Sequence, residues 1–270
     1  MDSQLIKPFI PPFTIDFYHR YIDPYGFFGD YKHWQEAVEH SQGYGIPQII
    51  EQVLKSSLNV KEGKALFERD GVCFYEPYYV WPLMTALLRI AAKNNNCLRV
   101  LDFGGSLGSL YFQHKKLLSE LKHFRWCIVE QPAYVERGKK YFEDSVLRFY
   151  DSLSSCVKNE EIDVIVLSGV LQYLEKPHDV LNEIISHKFK TIVISRTPFI
   201  MRDNDRLTVQ KVPPSIYKAS YPAWFFNKKI FLEHFKEDYK ILYEYEDFAG
   251  EVTIKAPLNK AIDMGIVFEK

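Results

Sequence analysis

A glycine-rich turn is the stretch of this sequence best suited to holding a ligand. Within "VLDFGGSLGSL", residues 100–110, an apolar run leads into Asp102, Phe103, Gly104, Gly105 and Gly108. Glycine permits positive φ angles and a close approach of the backbone to a ligand. The dinucleotide pattern GxGxxG would need glycines where Ser106 and Ser109 stand, so a nicotinamide cofactor fits poorly. The turn is therefore predicted to bind another ligand, with an ordinary tight turn between a strand and a helix as the alternative.

Three later apolar runs also end in hydrogen-bonding residues. "WCIVEQP" ends in Glu130 and Gln131, "LRFYDSL" ends in Asp151 and Ser152, and "DVIVLSG" ends in Ser168. A carboxylate such as Glu130 can accept hydrogen bonds from both hydroxyls of a ribose, and Asp151 can accept one from an adenine amino group. The alternatives are a carboxylate at a helix N-terminus for Glu130 and a helix or turn cap for Asp151. In chain order, the four strand ends indicate one nucleoside-like ligand.

These residues can meet only if a sheet brings the strand ends to one edge. From residue 98 onward, helix patterns alternate with strand patterns at 98–103, 125–130, 147–153, 161–169 and 190–195. Such alternation implies right-handed βαβ crossovers. We therefore expect an α/β fold with a doubly wound, mostly parallel sheet. Residues 239–248 and 264–270 are expected to add an antiparallel C-terminal edge.

The chain is predicted to divide into a cap and a ligand-binding domain. Residues 1–96 form the cap: an irregular aromatic arm over 1–30, followed by helices at 47–58 and 81–93. Residues 97–270 form the ligand-binding domain, with 197–227 inserted on the substrate side.

The glycine turn is close to the DxGxGxG loop of class I methyltransferases that use S-adenosylmethionine (SAM). Asp102 begins the loop, Gly104 and Gly108 match it, and Ser106 replaces the middle glycine. The chain also resembles a family of SAM-dependent methyltransferases found among bacterial surface-polysaccharide genes for O-antigen and capsule. The similar segments, from about residue 27 to the end, include "FERDGVCFYEPYYVWPLMTALLRIA", "VLQYLEKPHDVL", "SRTPF" and "DRLTVQKVPPSIYKASYPAWFF". The resemblance implies a Rossmann-like fold, SAM as cofactor, S-adenosylhomocysteine as product and a sugar or nucleotide-sugar acceptor.

Methyl transfer to a hydroxyl needs a positioned acceptor and a means of removing its proton. His178, after the fourth strand, is a candidate base, with a helix-forming role as the alternative. Gln172 and Tyr173 follow the same strand and can contact the donor or the acceptor, although simple packing would also explain them. Arg196, after the fifth strand, can bind an anionic group or form a salt bridge.

An aromatic segment at residues 211–226, "KVPPSIYKASYPAWFF", is too apolar to lie free in water. Its three prolines disfavour a helix or a central strand. We expect Tyr221 and Trp224, with Tyr25 and Tyr78 from the cap, to form a wall of the acceptor pocket. The alternative is that the segment packs on the N-terminal arm and closes the core.

Composition narrows the class of protein. The chain has 270 residues, 47% of them hydrophobic, with 34 basic and 35 acidic residues and a net charge of −1. The even charge balance disfavours nucleic acid as a partner, and the absence of a long apolar run or a signal peptide predicts a cytoplasmic protein. The sequence predicts no metal site, and it leaves open whether the protein forms a homodimer. A methyltransferase directed to nitrogen or phosphate and an inactive protein with the same fold remain the alternative functions.

Overall fold

A computed structural model describes residues 23–41 and 47–270, and these form an α/β fold. The strands are β1 Gly26–Tyr31, β2 Phe67–Arg69, β3 Val72–Phe74, β4 Cys97–Phe103, β5 His123–Val129, β6 Leu147–Tyr150, β7 Val164–Ser168, β8 Thr191–Ile200, β9 Arg206–Lys211, β10 Ser220–Asn227, β11 Lys240–Lys255 and β12 Asn259–Glu269. The helices are α1 Trp34–Glu39, α2 Pro47–Lys61, α3 Trp81–Lys93, α4 Ser109–Leu118, α5 Pro132–Tyr141, α6 Leu153–Asn159, α7 Pro177–Ser186 and α8 Lys228–Glu233, with a 3₁₀ turn at Leu171–Tyr173.

Five parallel strands form the half of the sheet that carries the glycine turn. Their order is β6-β5-β4-β7-β8, and each pairs in parallel with its neighbour. The strands are short and apolar because both faces of the sheet are covered. Helices α2 to α5 pack on one face, and α6 to α8 pack on the other. This arrangement puts the carboxyl ends of β4, β5 and β7 at one edge.

The other half of the sheet differs from the prediction, which was an open and mostly parallel sheet. Strand β12 pairs antiparallel with β8, and the order continues through β11, β1, β9 and β10. The last residues of β8 then pair with β10, through Phe199 with Phe226 and Ile200 with Asn227. The six strands β8, β12, β11, β1, β9 and β10 therefore close into a ring. The ten-stranded sheet is mixed, and the predicted antiparallel C-terminal edge is one part of the ring.

Two segments predicted to be irregular are strands of this ring. Residues 26–31 of the aromatic arm form β1, which lies between β9 and β11. Residues 220–227 form β10 in spite of Pro222, which is paired with Val209 of β9. Within the part of the chain that the structure describes, β10 has a second neighbouring strand only at Phe226 and Asn227. The proline therefore lies where the strand behaves as an edge, and edges tolerate a missing N–H group. Residues 1–22 of the predicted arm lie outside the described part of the chain.

Within the described residues, the structure contains no helix of the length and apolar character needed to cross a membrane.

Candidate functional site

The glycine turn after β4 is held in a conformation that side chains would obstruct. Gly104 has a φ of 75°, and a Cβ atom there would lie 2.3 Å from a methyl group of Val170. A Cβ atom on Gly105 would lie 2.5 Å from Oδ2 of Asp102. Ser106 also has a positive φ, 55°, at the position where the methyltransferase loop has its middle glycine. The turn therefore keeps the left-handed backbone of the loop although one glycine is replaced.

A cleft opens at this turn, at the carboxyl ends of the parallel strands. Six residues predicted from the sequence line it: Asp102, Gly104, Gly105, Glu130, Ser168 and Arg196. They come from β4, β5, β7 and β8 or from the residues directly after them. The rest of the lining comes from residues before β4, from helices α4 and α5, and from the segment between β9 and β10; it includes Ile49, Val53, Glu68, Arg69, Asp70, Val80, Gln113, Tyr134 and Tyr217.

Two carboxyl groups of the cleft, those of Asp102 and Glu130, have raised pKa values. Asp102 is 1% exposed, and its Oδ2 accepts a hydrogen bond from Nε1 of Trp126 at 3.1 Å. Burial raises the pKa of Asp102 to about 7, partly offset by this hydrogen bond. Burial also raises the pKa of Glu130 to about 7. One oxygen of Glu130 accepts a hydrogen bond from the backbone N–H of Gln131 at 2.5 Å. A ligand that donates to these carboxyls would stabilise their ionised forms.

The Oγ atom of Ser168 is buried in the cleft wall and has no hydrogen-bond partner among the described residues. Leaving a buried hydroxyl unpaired costs about 1–3 kcal/mol. A ligand with a polar group at this point would satisfy it.

The hairpin β2–β3 supplies three residues of the cleft that were not predicted from the sequence: Glu68, Arg69 and Asp70. Its turn consists of Asp70 and Gly71, with φ angles of 52° and 78°. Asp-Gly is a strong hairpin signal, so "FERDGVCF" contained the information to place this turn. Glu68 accepts hydrogen bonds from Gly71 N at 3.1 Å and from the hydroxyl of Ser109 on α4. The hairpin is thereby tied to the helix that follows the glycine turn.

A second chamber lies inside the mouth of the ring and shares Asp70, Arg196 and Tyr217 with the cleft. Its aromatic walls are Phe27, Tyr173, Tyr217, Tyr221 and Phe248, and its other polar groups include Gln172, Gln210 and Asp263. The shared wall contains an ion pair in which Nη2 of Arg196 lies 2.8 Å from Oδ2 of Asp70.

A bulge in β8 directs Arg196 into this shared wall. In the pairing with β12, Ile194 lies opposite Ile266 and Thr197 opposite Met264, so Ser195 and Arg196 share one position. Arg196 has a φ of 51°, as expected for an irregular position of this kind. Asp247 holds the bulge by accepting hydrogen bonds from the Ser195 hydroxyl at 2.6 Å and from Arg196 N at 2.9 Å.

Two of the predicted acceptor-site residues form hydrogen bonds at the second chamber. The Tyr173 hydroxyl donates to Oε1 of Gln210 at 2.8 Å. Burial raises the pKa of Tyr173, so its phenol stays protonated at neutral pH. Nε2 of Gln172 donates to the carbonyl oxygen of Arg196 at 3.1 Å and supports the bulge.

Phe103, Gln131, Asp151 and Ser152, which were also predicted to bind the cofactor, are not among the residues that line the cleft. Phe103 packs in the core on the side of α6 to α8. Gln131 is exposed at the start of α5, and Asp151 is exposed after β6. Ser152 caps α6 by accepting a hydrogen bond from Ser155 N at 3.3 Å. Thus Ser152, and not Asp151, has the capping role that was considered for Asp151.

His178 does not line either chamber but joins three elements on another side of the molecule. Its Nδ1 lies 2.8 Å from Nε2 of His234, which follows α8, and its Nε2 lies 2.6 Å from Oδ2 of Asp205. Asp205 also accepts a hydrogen bond from Asn227 N at 2.7 Å. Both ring nitrogens of His178 are therefore engaged with the protein. This geometry corrects the expectation that His178 faces the acceptor.

The predicted aromatic wall is divided between the second chamber and the core. Tyr221 lines the chamber. Trp224 instead stacks on Trp34 of α1, with 6.4 Å between ring centroids, and its Nε1 donates to the carbonyl oxygen of Leu174 at 3.1 Å. Tyr78 lies beside the chamber, with its ring edge against Phe248. The carbonyl oxygen of Tyr25 accepts a hydrogen bond from Lys255, and the tyrosine is not part of the wall.

No family model and no curated protein matches the sequence. Several solved structures share weak similarity. The N-terminal domain of EvdMO1, in the presence of S-adenosylhomocysteine and D-fucose, is 13% identical with a TM-score of 0.47, over 81% of this chain and 96% of that one. The Burkholderia thailandensis 1,6-didemethyltoxoflavin-N1-methyltransferase is 16% identical with a TM-score of 0.39, over 83% and 91%. A SAM-dependent methyltransferase from Clostridium acetobutylicum ATCC 824 is 10% identical with a TM-score of 0.44, over 71% and 92%. At these values, neither a reaction nor a substrate transfers to this chain.

Proposed function

We propose that this protein is a SAM-dependent methyltransferase whose cofactor binds in the cleft at the glycine turn. The observation that carries the proposal is the convergence of three features in one cleft: a turn that side chains would fill, a carboxylate at the next strand end, and the unpaired hydroxyl of Ser168. Each feature is suited to a nucleoside-like ligand lying across the strand ends.

The residues present fit this cofactor. The backbone at residues 104–106 can approach the ligand closely, Glu130 can accept hydrogen bonds from ribose hydroxyls, and Ser168 can pair with a polar group of the ligand. When bound, SAM supplies a methyl group on a positively charged sulfur. The protein's part is to hold donor and acceptor in line and to exclude water from between them.

We further propose that the acceptor is a small hydroxylated molecule, such as a sugar or nucleotide-sugar, bound in the second chamber. Aromatic rings suit the C–H faces of a sugar ring, and the chamber combines them with amide, phenol, guanidinium and carboxylate groups. The chamber and the cleft share Asp70, Arg196 and Tyr217 as a common wall, so an acceptor in the chamber would lie next to the donor.

The test combines binding and turnover. Calorimetry should show that S-adenosylhomocysteine binds the purified chain and that NAD⁺ does not. Mass spectrometry after incubation with SAM and a panel of sugars and nucleotide-sugars should show the gain of one methyl group. If NAD⁺ bound and S-adenosylhomocysteine did not, the placement of SAM in this cleft would be wrong. Methylation confined to amines would refute the hydroxyl acceptor and leave the cofactor intact.

A further inference from the structure

An acidic residue lies deep inside the ring, where the fold itself does not require one. Along β12 the side chains alternate: Ala261 is 2% exposed, Ile262 is 44% exposed and Asp263 is 6% exposed. Ala261 packs with the apolar cluster of Ile200, Phe225 and Ile254, which fills one end of the ring. Asp263 is the next inward residue and lines the second chamber above that cluster. Burying a carboxylate among these inward-facing residues of β12 costs free energy unless hydrogen bonds or opposite charges compensate it.

Asp247, on the neighbouring strand β11, accepts more hydrogen bonds from the described residues than Asp263 does. Asp247 accepts hydrogen bonds from the Ser195 hydroxyl, from Arg196 N and from Phe248 N. Among residues 23–41 and 47–270, Asp263 accepts a hydrogen bond from Ala249 N, to Oδ2 at 3.3 Å. Asp247 thus has a structural role at the bulge, whereas Asp263 keeps accepting capacity that faces the chamber.

We propose that Asp263 is the proton acceptor for the hydroxyl group of the bound acceptor, an inference that rests on the methyl transfer proposed above. The acceptor oxygen forms a bond to the methyl carbon as the carbon–sulfur bond breaks. The electron pair of that bond remains on sulfur, which becomes a neutral thioether. The hydroxyl proton passes to a carboxylate oxygen of Asp263, which becomes a neutral carboxylic acid.

The electrostatic surroundings suit this role. Burial raises the pKa of Asp263 to about 6, with a further increase from Asp247 and decreases from Ala249 N, Arg196 and Arg69. Tyr245 on β11 also interacts electrostatically with Asp263. A base is most effective when its pKa lies near the working pH, and a carboxyl with this pKa is ionised at pH 7 while remaining more basic than an exposed aspartate. Tyr173, the phenol beside it in the wall, has a raised pKa and serves as a donor.

The test compares Asp263→Asn with the wild type and with Asp238→Asn, an exposed aspartate before β11. Asn keeps the size of the side chain and an acceptor oxygen for Ala249 N but cannot take up the proton. We expect kcat of Asp263→Asn to fall by ~10²-fold or more at saturating donor and acceptor. The acidic limb of the wild-type pH profile of kcat should disappear, and the affinity for S-adenosylhomocysteine should be unchanged. Asp238→Asn should match the wild type in all three measurements.

Thermal unfolding supplies a readout that does not depend on activity. Because the pKa of Asp263 is higher in the folded state than in the unfolded chain, the ionised side chain destabilises the fold. Its contribution is favourable at low pH and is lost as the pH rises from about 4 to about 6. Asp263→Asn should therefore melt at a higher temperature than the wild type at pH 8, and the difference should vanish near pH 4. A structural role would predict the opposite change.

The outcomes separate this inference from the proposed function. A wild type that methylates a hydroxylated acceptor, together with an Asp263→Asn variant of normal kcat and normal pH profile, would overturn the role of Asp263 alone. Loss of both melting temperature and S-adenosylhomocysteine affinity in the variant would also overturn it, because the residue would then be structural. A wild type without any methylated product would overturn the proposed function and this inference with it.

Discussion

Replacement of Glu130 tests the placement of the cofactor most directly. Glu130 follows β5, and its backbone N–H donates to the carbonyl oxygen of Tyr150 at 3.1 Å, which fixes the residue at the strand end. Backbone N–H groups of Gln131 and Ser106 both donate to the Glu130 carboxylate, whose remaining lone pairs can accept hydrogen bonds from a ligand. A hydrogen bond to a charged group contributes about 1.5–3 kcal/mol. We therefore expect Glu130→Ala to weaken S-adenosylhomocysteine binding by ~1–3 kcal/mol, or roughly 5- to 150-fold in Kd.

The change in ligand affinity between pH 6 and pH 8 is a second quantity that tests the role of Glu130. Since burial raises the pKa of Glu130 to about 7, about one tenth of this carboxyl is ionised at pH 6 and about nine tenths at pH 8. A ligand that requires the ionised form should bind the wild type about tenfold more weakly at pH 6 than at pH 8. Glu130→Gln should lose this part of the pH dependence. Any slope that remains would come from Asp102 and Glu68, whose pKa values burial also raises to about 7.

Isothermal titration calorimetry with S-adenosylhomocysteine at pH 6, 7 and 8 measures both effects. Glu136→Gln is the matched control, because Glu136 is exposed on α5, the helix that begins just after Glu130. If Glu130→Ala bound the ligand as tightly as the wild type at pH 8, or if Glu130→Gln kept the full pH dependence, the ribose would not lie at Glu130.

Two further substitutions separate structural residues from acceptor-binding residues. His178→Ala should lower the free energy of unfolding by about 1.5–3 kcal/mol, because Asp205 loses the hydrogen bond from the imidazole, and should leave kcat unchanged; a large loss of kcat at a normal melting temperature would instead make His178 a base. Trp224→Ala should lower the melting temperature, since the stack on Trp34 and the bond to Leu174 are lost. Tyr221→Phe should raise the acceptor KM about fivefold, and its melting temperature should fall less than that of Trp224→Ala, since within the protein it loses hydroxyl contacts such as that with Tyr217. Steady-state kinetics with thermal unfolding measures each variant, and a destabilised Tyr221→Phe with a normal KM would place Tyr221 in the core.

Local signals in the sequence were sufficient for the parallel half of the sheet. The helix predicted at 81–93 is α3, Trp81–Lys93, and the four apolar residues of the predicted helix face at 47–58 are buried in α2. The glycine turn follows β4 as predicted, because its glycines are needed by the local backbone itself. Glu130 and Ser168 reach the same cleft because parallel strands place their carboxyl ends at one edge.

The ring and the contents of its chamber depend on contacts between residues far apart in the chain. Strand β8 continues past Ser195 through a bulge to pair with β10, and the bulge is bonded to Asp247, which lies about fifty residues away in the chain. The prolines of residues 211–226 indicate an irregular segment, and only the position of β10 in the ring shows why Pro222 is tolerated. Tertiary packing here overrides local preference.

The sequence by itself determined the glycine turn, the positions of the five parallel strands along the chain and the hydrogen-bonding residues at their ends, since each follows from periodicity or from backbone conformation. Tertiary structure alone decided which distant side chains meet. Asp263 has no distinguishing neighbours in the sequence and enters the chamber only because β12 lies against β8. His178 follows the predicted strand as expected, but its ring is held by Asp205 and His234. The direction of a side chain and the partners it finds depend on the packing of whole elements, which no short stretch of sequence encodes.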